Sequence, residues 1–280
     1  MCSYNELYKN AANDPPPMTQ QAPLVTPQPG DAYVQSFARG LEVIRSFNAT
    51  APRQTLTDVA TRTGLTRAGA RRILLTLQTL GYVESDGKLF SLTPRILDLG
   101  FAYLSSMPMW NVPEPVMDAL VEQVKESCSA AVLEGTDIVY VLRVSTRKIM
   151  RNSLGIGSRL PAYCTSMGRM LLAGLSDDEV LALLAASPIE PRTRHTLTDP
   201  QAVLAKVRQA RRQGWCLVNQ ELEEGLVSLA APVTNRAGRI IAAINISGQA
   251  NRSSARQMQD TMLAPLREAA QLISQRLPGG

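Results

Sequence analysis

Four arginines, Arg62, Arg67, Arg71 and Arg72, fall between Thr61 and Gly81 with no aspartate or glutamate among them. On a helix, Arg67, Arg71 and Arg72 share one face, with Ala68 beside them. A guanidinium is a planar fork of donors that pairs bidentately with phosphate or with the major-groove edge of guanine, so such a face suits a polyanion. Taken alone, the run is equally a solvated basic helix face. The net charge of +5 over 280 residues is mild, and the local cluster carries more of the argument than the total.

Other chemistry has less to work with. His195 is the one histidine in the chain and lies between Arg194 and Thr196 in a Pro-rich stretch. A surface or capping role suits it better than catalysis. Cys164 precedes Thr165 and Ser166 at an expected helix start, where the dipole favours a thiolate. In a reducing compartment, a buried and packed cysteine is the plainer reading. Cys2, Cys128, Cys164 and Cys216 are widely spaced and form no Cys-x-x-Cys pair, which argues against structural zinc. Gly155-Ile156-Gly157 lacks the third glycine and the strand-to-helix context of a dinucleotide fingerprint, and no Gly-Lys-Ser/Thr loop exists for nucleotide phosphates. Glu221, Glu223 and Glu224 before Gly225 read as a solvated turn rather than metal ligands. No catalytic residue, metal or cofactor is expected.

The elements that position the arginines can be read from the chain. Residues 1–32, with Pro15, Pro16, Pro17, Pro23, Pro27 and Pro29, read as a disordered leader. From Tyr33 onward, Phe37, Leu41, Ile44 and Phe47 recur at helical spacing behind Ser36, a candidate N-cap. Thr55 then caps a helix with Leu56, Val59 and Ala60 on its apolar stripe, and Gly64 ends it. Thr66 caps the next helix, which carries Ala70, Ile73, Leu74, Leu77 and Leu80 inward and the arginines outward. Tyr82 to Glu84 and Lys88 to Leu92 alternate around Ser85-Asp86-Gly87, a hairpin signal. Helix, helix, turn, helix and hairpin together make a winged helix-turn-helix over 33–92, in which the second motif helix enters the major groove. Thr55, Thr66, Arg67, Ala68, Arg71, Arg72 and the wing's Lys88 are its expected DNA contacts. A winged helix that docks other proteins is the competing reading.

Thr93-Pro94 opens a linker helix over 93–108, with Ile96, Leu97, Leu99, Gly100, Tyr103 and Leu104 as apolar contacts. The remainder, 109–280, reads as an α+β domain of the broad GAF or PAS type. Its expected helices cover 116–125, 166–175, 177–186, 201–213 and 253–276. Expected strands lie at 129–133, 138–144, 149–154, 215–218, 227–233 and 240–247. With 45% hydrophobic and 19% charged residues, the chain has enough apolar material for two cores, which excludes wholesale disorder. No secretory signal and no apolar run of roughly 18 residues is present, so a cytoplasmic protein is expected, with no membrane partner.

Two segments in different domains, Ser36 to Phe47 and Arg159 to Arg169, resemble the IclR family of bacterial regulators, and in particular its PcaR/PcaU/PobR branch, which governs aromatic acid breakdown through protocatechuate and β-ketoadipate. The resemblance implies a regulator of transcription, an activator or a repressor, acting as a homodimer or dimer of dimers on double-stranded operator DNA. Its effector would be a small aromatic carboxylic acid or pathway intermediate such as protocatechuate, 4-hydroxybenzoate or β-ketoadipate. The family places effector contacts where this chain has Asn152, Leu160, Ser166, Met167, Val218, Ser228, Asn245 and Ser247, with Asn219 and Glu221 adjacent. Met167 and Asn245 differ from the smaller groups of keto-acid sensors, so that ligand class does not carry over. If Ser166 and Met167 open a helix, their free N–H groups suit a carboxylate, while Ser228, Asn245 and Ser247 suit ring hydroxyls. An enzyme with a DNA-binding appendage is the alternative; it would convert its ligand rather than release it unchanged.

Overall fold

The computed structural model describes residues 30, 33–106, 112–146 and 154–277. They fall into two compact units, within Thr26–Met107 and Pro108–Gly280. Of the expected leader, only Gly30 is among the described residues.

In the first unit α1 spans Gln35–Ser46 and begins behind Val34 with no side-chain cap, so Ser36 lies inside the helix instead of capping it. Its buried side runs through Val43, with Phe47 just beyond the helix end, while Phe37 is 69% and Leu41 37% exposed. The apolar periodicity was therefore right for a helix but drew the core face too wide. A short strand β1 (Arg53–Thr55) leads into α2 (Leu56–Thr63). Thr55 accepts from the Asp58 N–H and the Asp58 carboxylate returns a bond to the Thr55 N–H, a complete capping box. Gly64 ends α2 with φ 65°, a conformation that costs glycine little. α3 (Arg67–Thr79) follows under the Thr66 cap and buries Ala70, Leu74 and Leu77 against Val43, Phe47 and Val59. Leu80, expected inward, closes the helix half exposed.

The wing is β2 (Val83–Ser85) and β3 (Leu89–Leu92), and the sheet order is β1-β3-β2, all antiparallel. Sequence reading missed β1, because three residues show no period. Asp86 holds the turn: its carboxylate accepts from the Lys88 and Leu89 N–H groups and pairs with Arg53 of β1 at 2.5 Å. After the wing, Pro94–Ile96 form a single 3₁₀ turn before α4 (Leu97–Ser106), and the Thr93 hydroxyl donates to the Gly81 carbonyl rather than capping. Leu97, Leu99, Phe101 and Tyr103 are exposed on α4.

The second unit is built on a six-stranded antiparallel sheet. In chain order its elements are α5 (Pro113–Val124), β4 (Ser127–Glu134), β5 (Asp137–Val144), β6 (Arg159–Pro161), α6 (Ser166–Leu172), α7 (Asp177–Ala186), α8 (Pro200–Gln213), β7 (Cys216–Asn219), β8 (Leu226–Thr234), β9 (Ile240–Gln249) and α9 (Ala255–Arg276), and the strands run β6-β5-β4-β9-β8-β7. α6 packs on β8, β9, β4 and β7, and α8 covers α6 and β7. Ala131, Tyr140, Val218, Ala230 and Ala243 face that layer, in one core with Tyr163, Met167, Leu171 and Leu204. Strand alternation sends Leu229, Ile244 and Ile246 to the other face, where α9 and α5 pack. The expected strand at 149–154 lies outside the described residues but for Leu154, which is in no strand; β6 takes the edge beside β5 instead.

Ala130 pairs with Leu142 and Ala131 with Tyr140, so Val141 is an extra residue, a β-bulge. α6 depends on a close approach as well: a Cβ added at Gly168 would lie 2.2 Å from the Ala162 carbonyl oxygen and 2.4 Å from its Cα. Both are backbone atoms, so relief requires moving the chain. Gly168→Ala is expected to lower the stability of the second unit by about 1–3 kcal/mol, the range of overpacked cores. Urea unfolding followed by circular dichroism checks this, and an unchanged midpoint would show that the helix does not need the contact.

Candidate functional sites

The early face of α3 presents Arg67, Ala68, Arg71 and Arg72 to solvent, on the side away from Ala70, Leu74 and Leu77. None of the three arginines is ion-paired among the described residues, so their guanidinium forks are available. Thr66 accepts the Gly69 N–H at 3.1 Å and remains exposed. Thr55 is committed on both sides, donating to Asp58 at 2.7 Å and accepting from its N–H. Lys88 is exposed at the tip of the wing. A basic helix face and a basic wing tip thus belong to one compact unit.

The second unit holds a cavity of about 380 Å³ between the start of α6 and the sheet. Leu160, Ser166, Met167, Val218, Ser228, Asn245 and Ser247 all line it, seven of the residues expected from sequence. Three expected residues do not join them. Asn219 ends β7 exposed, Asn152 lies outside the described residues, and Glu221 is taken by an ion pair with Arg169. That pair is buried and bidentate, with Nη1 to Oε1 at 2.7 Å and Nη2 to Oε2 at 2.5 Å.

Register explains the polar wall. Ser228 pairs with Ser247, and Ser247 with Ser127, across β8, β9 and β4. One row along, Asn245 pairs with Ser129, and Ser129 with Arg143. Residues directly opposite share a face, so these rows form one polar patch on an otherwise apolar sheet. The Asn245 Oδ1 accepts the Ser129 N–H at 3.2 Å, leaving its amide N–H₂ for the cavity. On the opposite wall, the Ser166 hydroxyl is buried, in a residue 1% exposed, and has no hydrogen-bond partner. A polar group so placed costs free energy until something bonds to it.

The cavity also contains residues the sequence did not suggest: Tyr140, Arg143, Cys164, Thr165 and Arg192. Burial pushes the Tyr140 phenol up, and the charge of neighbouring Arg143 partly offsets that. Cys164 has its thiol pushed up to about 11, mainly by burial, with Arg192 and Arg169 pulling the other way. It therefore stays a neutral thiol at ordinary pH, which removes the activated-nucleophile reading. Thr165 caps α6 by accepting the Gly168 N–H at 3.2 Å. His195 is exposed and accepts from the Arg194 Nε, as a surface role requires. Among the described residues no cluster of His, Cys, Asp or Glu could hold a metal, and no helix is long and apolar enough to cross a membrane.

Comparison with known proteins covers both units. Residues 36–87 match the IclR helix-turn-helix domain, and residues 101–275 match the bacterial transcriptional regulator IclR C-terminal domain. The chain is 40% identical to the Pca regulon regulatory protein of Pseudomonas putida, covering 96% of this chain and 94% of that protein. A crystal structure of a transcriptional regulator from Rhodococcus sp. RHA1 is 48% identical, with a TM-score of 0.79 over 88% of this chain and 98% of that one. An IclR homologue from Microbacterium hydrocarbonoxydans, solved in complex with 4-hydroxybenzoate, is 26% identical, with a TM-score of 0.74 over 86% of this chain and 98% of that one.

The α3 geometry leads to a first functional test. Arg67→Ala and Arg71→Ala are expected to weaken binding to cognate duplex DNA by about 1–3 kcal/mol each where the arginine pairs with guanine. Where the contact is to phosphate, the loss is uniform across sequences and the slope of log affinity against log salt falls by about one. Fluorescence anisotropy at several salt concentrations separates the two, and wild-type affinity in both variants refutes the assignment of this face.

Proposed function

The chain belongs to the IclR family of bacterial transcriptional regulators, and from that premise we propose that its second unit binds a small aromatic carboxylic acid whose occupancy controls operator binding by the first. The proposed DNA contacts are Arg67, Ala68, Arg71, Arg72, Thr66 and Lys88, with Thr55 setting the start of α2. The proposed effector contacts are Leu160, Ser166, Met167, Val218, Ser228, Asn245 and Ser247. The alternative of a processing enzyme is removed by the family, whose members matched here are regulators of transcription. Protocatechuate, 4-hydroxybenzoate and β-ketoadipate are the candidate ligands.

The observation that carries the reading is the Ser166 hydroxyl, buried and unpartnered on one wall of a cavity whose other wall is the Ser228, Asn245 and Ser247 patch. A ligand with polar groups at both ends of a flat apolar body satisfies both walls, and Leu160, Met167 and Val218 supply apolar contact for the ring. The cavity volume of about 380 Å³ is within the range of small-molecule sites. The 4-hydroxybenzoate bound to the Microbacterium hydrocarbonoxydans homologue supports the same class of ligand.

We further propose a homodimer, or a dimer of dimers, acting in the cytoplasm. One recognition helix reads only a few base pairs, and pairing two doubles the site. Phe37 and Leu41 on α1, and Leu97, Leu99, Phe101 and Tyr103 on α4, are large apolar side chains left exposed in a single chain. A second copy covering them offsets their cost in water.

Three measurements test these proposals. Calorimetry with 4-hydroxybenzoate and protocatechuate is expected to show binding that Ser166→Ala and Asn245→Ala each weaken by about 1 kcal/mol, the net worth of a hydrogen bond. Saturating ligand must change operator affinity by the same factor that operator changes ligand affinity. Ligand that binds without altering DNA affinity overturns the regulatory reading. Light scattering at micromolar protein is expected to give a dimer or tetramer for wild type and a smaller species for Phe101→Glu, and a wild-type monomer that persists with operator present refutes the oligomer.

A further inference from the structure

Resting on the reading of the cavity as an effector site, we infer that the effector's carboxylate is read from the sheet, by the Arg143 guanidinium with the Asn245 side-chain amide. Arg143 is then the residue by which the cavity selects an acid over its uncharged analogue. This reverses the orientation suggested by the sequence, in which the carboxylate lies at the start of α6.

The bulge at Val141 is what brings Arg143 into the site. In a regular strand Tyr140 and Arg143, three positions apart, would point to opposite faces. The extra residue puts both on the face toward α6, opposite Ala131 and Ser129, and both line the cavity. Arg143 is held there by neutral groups: Nε donates to the Ser145 hydroxyl at 3.2 Å and Nη1 to the Ser129 hydroxyl at 3.3 Å. No carboxylate among the described residues pairs with it, and its Nη2 donors have no partner among them. Ser129 also gives its N–H to the Asn245 Oδ1, so Arg143 and Asn245 flank one serine with N–H donors to spare. A partly buried guanidinium with no counter-charge, beside a free amide N–H₂, is a binding surface for a planar anion.

The charged groups on the other walls, Arg192 and Glu223, are exposed, whereas Arg143 is partly buried. α6 has seven residues, which makes its dipole small, and the Thr165 cap already occupies the Gly168 N–H. What it offers is the unpartnered Ser166 hydroxyl and the Ser166 and Met167 N–H groups, uncharged donors suited to a neutral polar group at the far end of the ligand. Arg192 also lines the cavity but is exposed, where solvent and salt screen its charge.

The test compares an acid with its amide. Calorimetry on the full chain uses 4-hydroxybenzoate and 4-hydroxybenzamide, or protocatechuate and its amide if that acid binds more tightly. Wild type is expected to prefer the acid by roughly tenfold or more, the worth of charge-assisted hydrogen bonds. Arg143→Gln is expected to bind acid and amide about equally, with the amide's affinity close to that in wild type. Arg192→Gln and Ser166→Ala are expected to keep most of the preference. If Arg143→Gln does not fold, Arg143→Lys takes its place: it retains the charge but not the fork, and a reduced preference supports the inference while an unchanged one overturns it. A preference that survives in Arg143→Gln, or that Arg192→Gln removes to the same extent, overturns the role of Arg143 and leaves the effector site standing. Failure of wild type to bind either acid overturns the effector reading and this inference with it.

Discussion

The Arg169–Glu221 ion pair is the constraint on which the second unit's site depends. Arg169 is 1% exposed, and each of its three guanidinium nitrogens bonds within the protein, Nε to the Tyr163 carbonyl and both terminal nitrogens to Glu221. Glu221 in turn accepts the Leu197 N–H, and its own carbonyl accepts the Thr196 hydroxyl. Three segments meet there: α6, the loop after β7, and the stretch around 193–197. Each contributes a cavity wall, through Ser166 and Met167, Leu222 and Glu223, and Arg192 respectively. A buried pair of this kind is a poor source of net stability but a strong enforcer of geometry, since losing one partner strands a charge at a cost of about 3–5 kcal/mol.

With those walls fixed, the sheet decides what the cavity contains. Placing serines, an asparagine and an arginine on a core face is unfavourable for folding, and the structure meets part of the cost internally. Asn245 takes the Ser129 N–H, and Arg143 is steadied by Ser129 and Ser145. The Ser166 hydroxyl is left unmet. Sheet residues devoted only to packing would be Val, Ile or Ala, as Ile244 and Ile246 are on the α9 face of the same strand. The contrast between the two faces of β9 is therefore between an apolar packing face and a polar face that lines the cavity.

The helix-turn-helix was legible because its signals are local. Thr55 with Asp58, Gly64, Thr66 and Asp86-Gly87 each act within three or four residues, and each took the role its chemistry dictates in the structure. Seven of the expected cavity residues are brought together in the same way, because strand alternation and the α6 start are readable and the family resemblance pointed to them. Errors arose where a residue answers to distant partners. Phe37 and Leu41 fit a helical stripe, yet both remain exposed, Phe37 by 69%. Glu221 looked like part of a solvated acidic turn, since its partner Arg169 is 52 residues away. Arg143 was invisible to a period of two, because one bulged residue inverts the alternation after it.

Those features bear on how occupancy of the cavity can act at all. A ligand shifts a conformational equilibrium only by its difference in affinity for the states involved. The cavity walls are tied to one another through Arg169 and Glu221, so a ligand that bonds both to the sheet patch and to Ser166 stabilises the arrangement in which all three segments are in register. Against an arrangement that does not bind it, the shift is RT ln(1 + [L]/Kd), about 2.7 kcal/mol at a hundredfold excess over Kd. That is comparable to the coupling free energies, about 1–3 kcal/mol, by which effectors alter affinity at a second site. On the proposed reading, the part of a ligand that reaches Ser166 would supply the difference, and the part that meets Arg143 and Asn245 the selectivity.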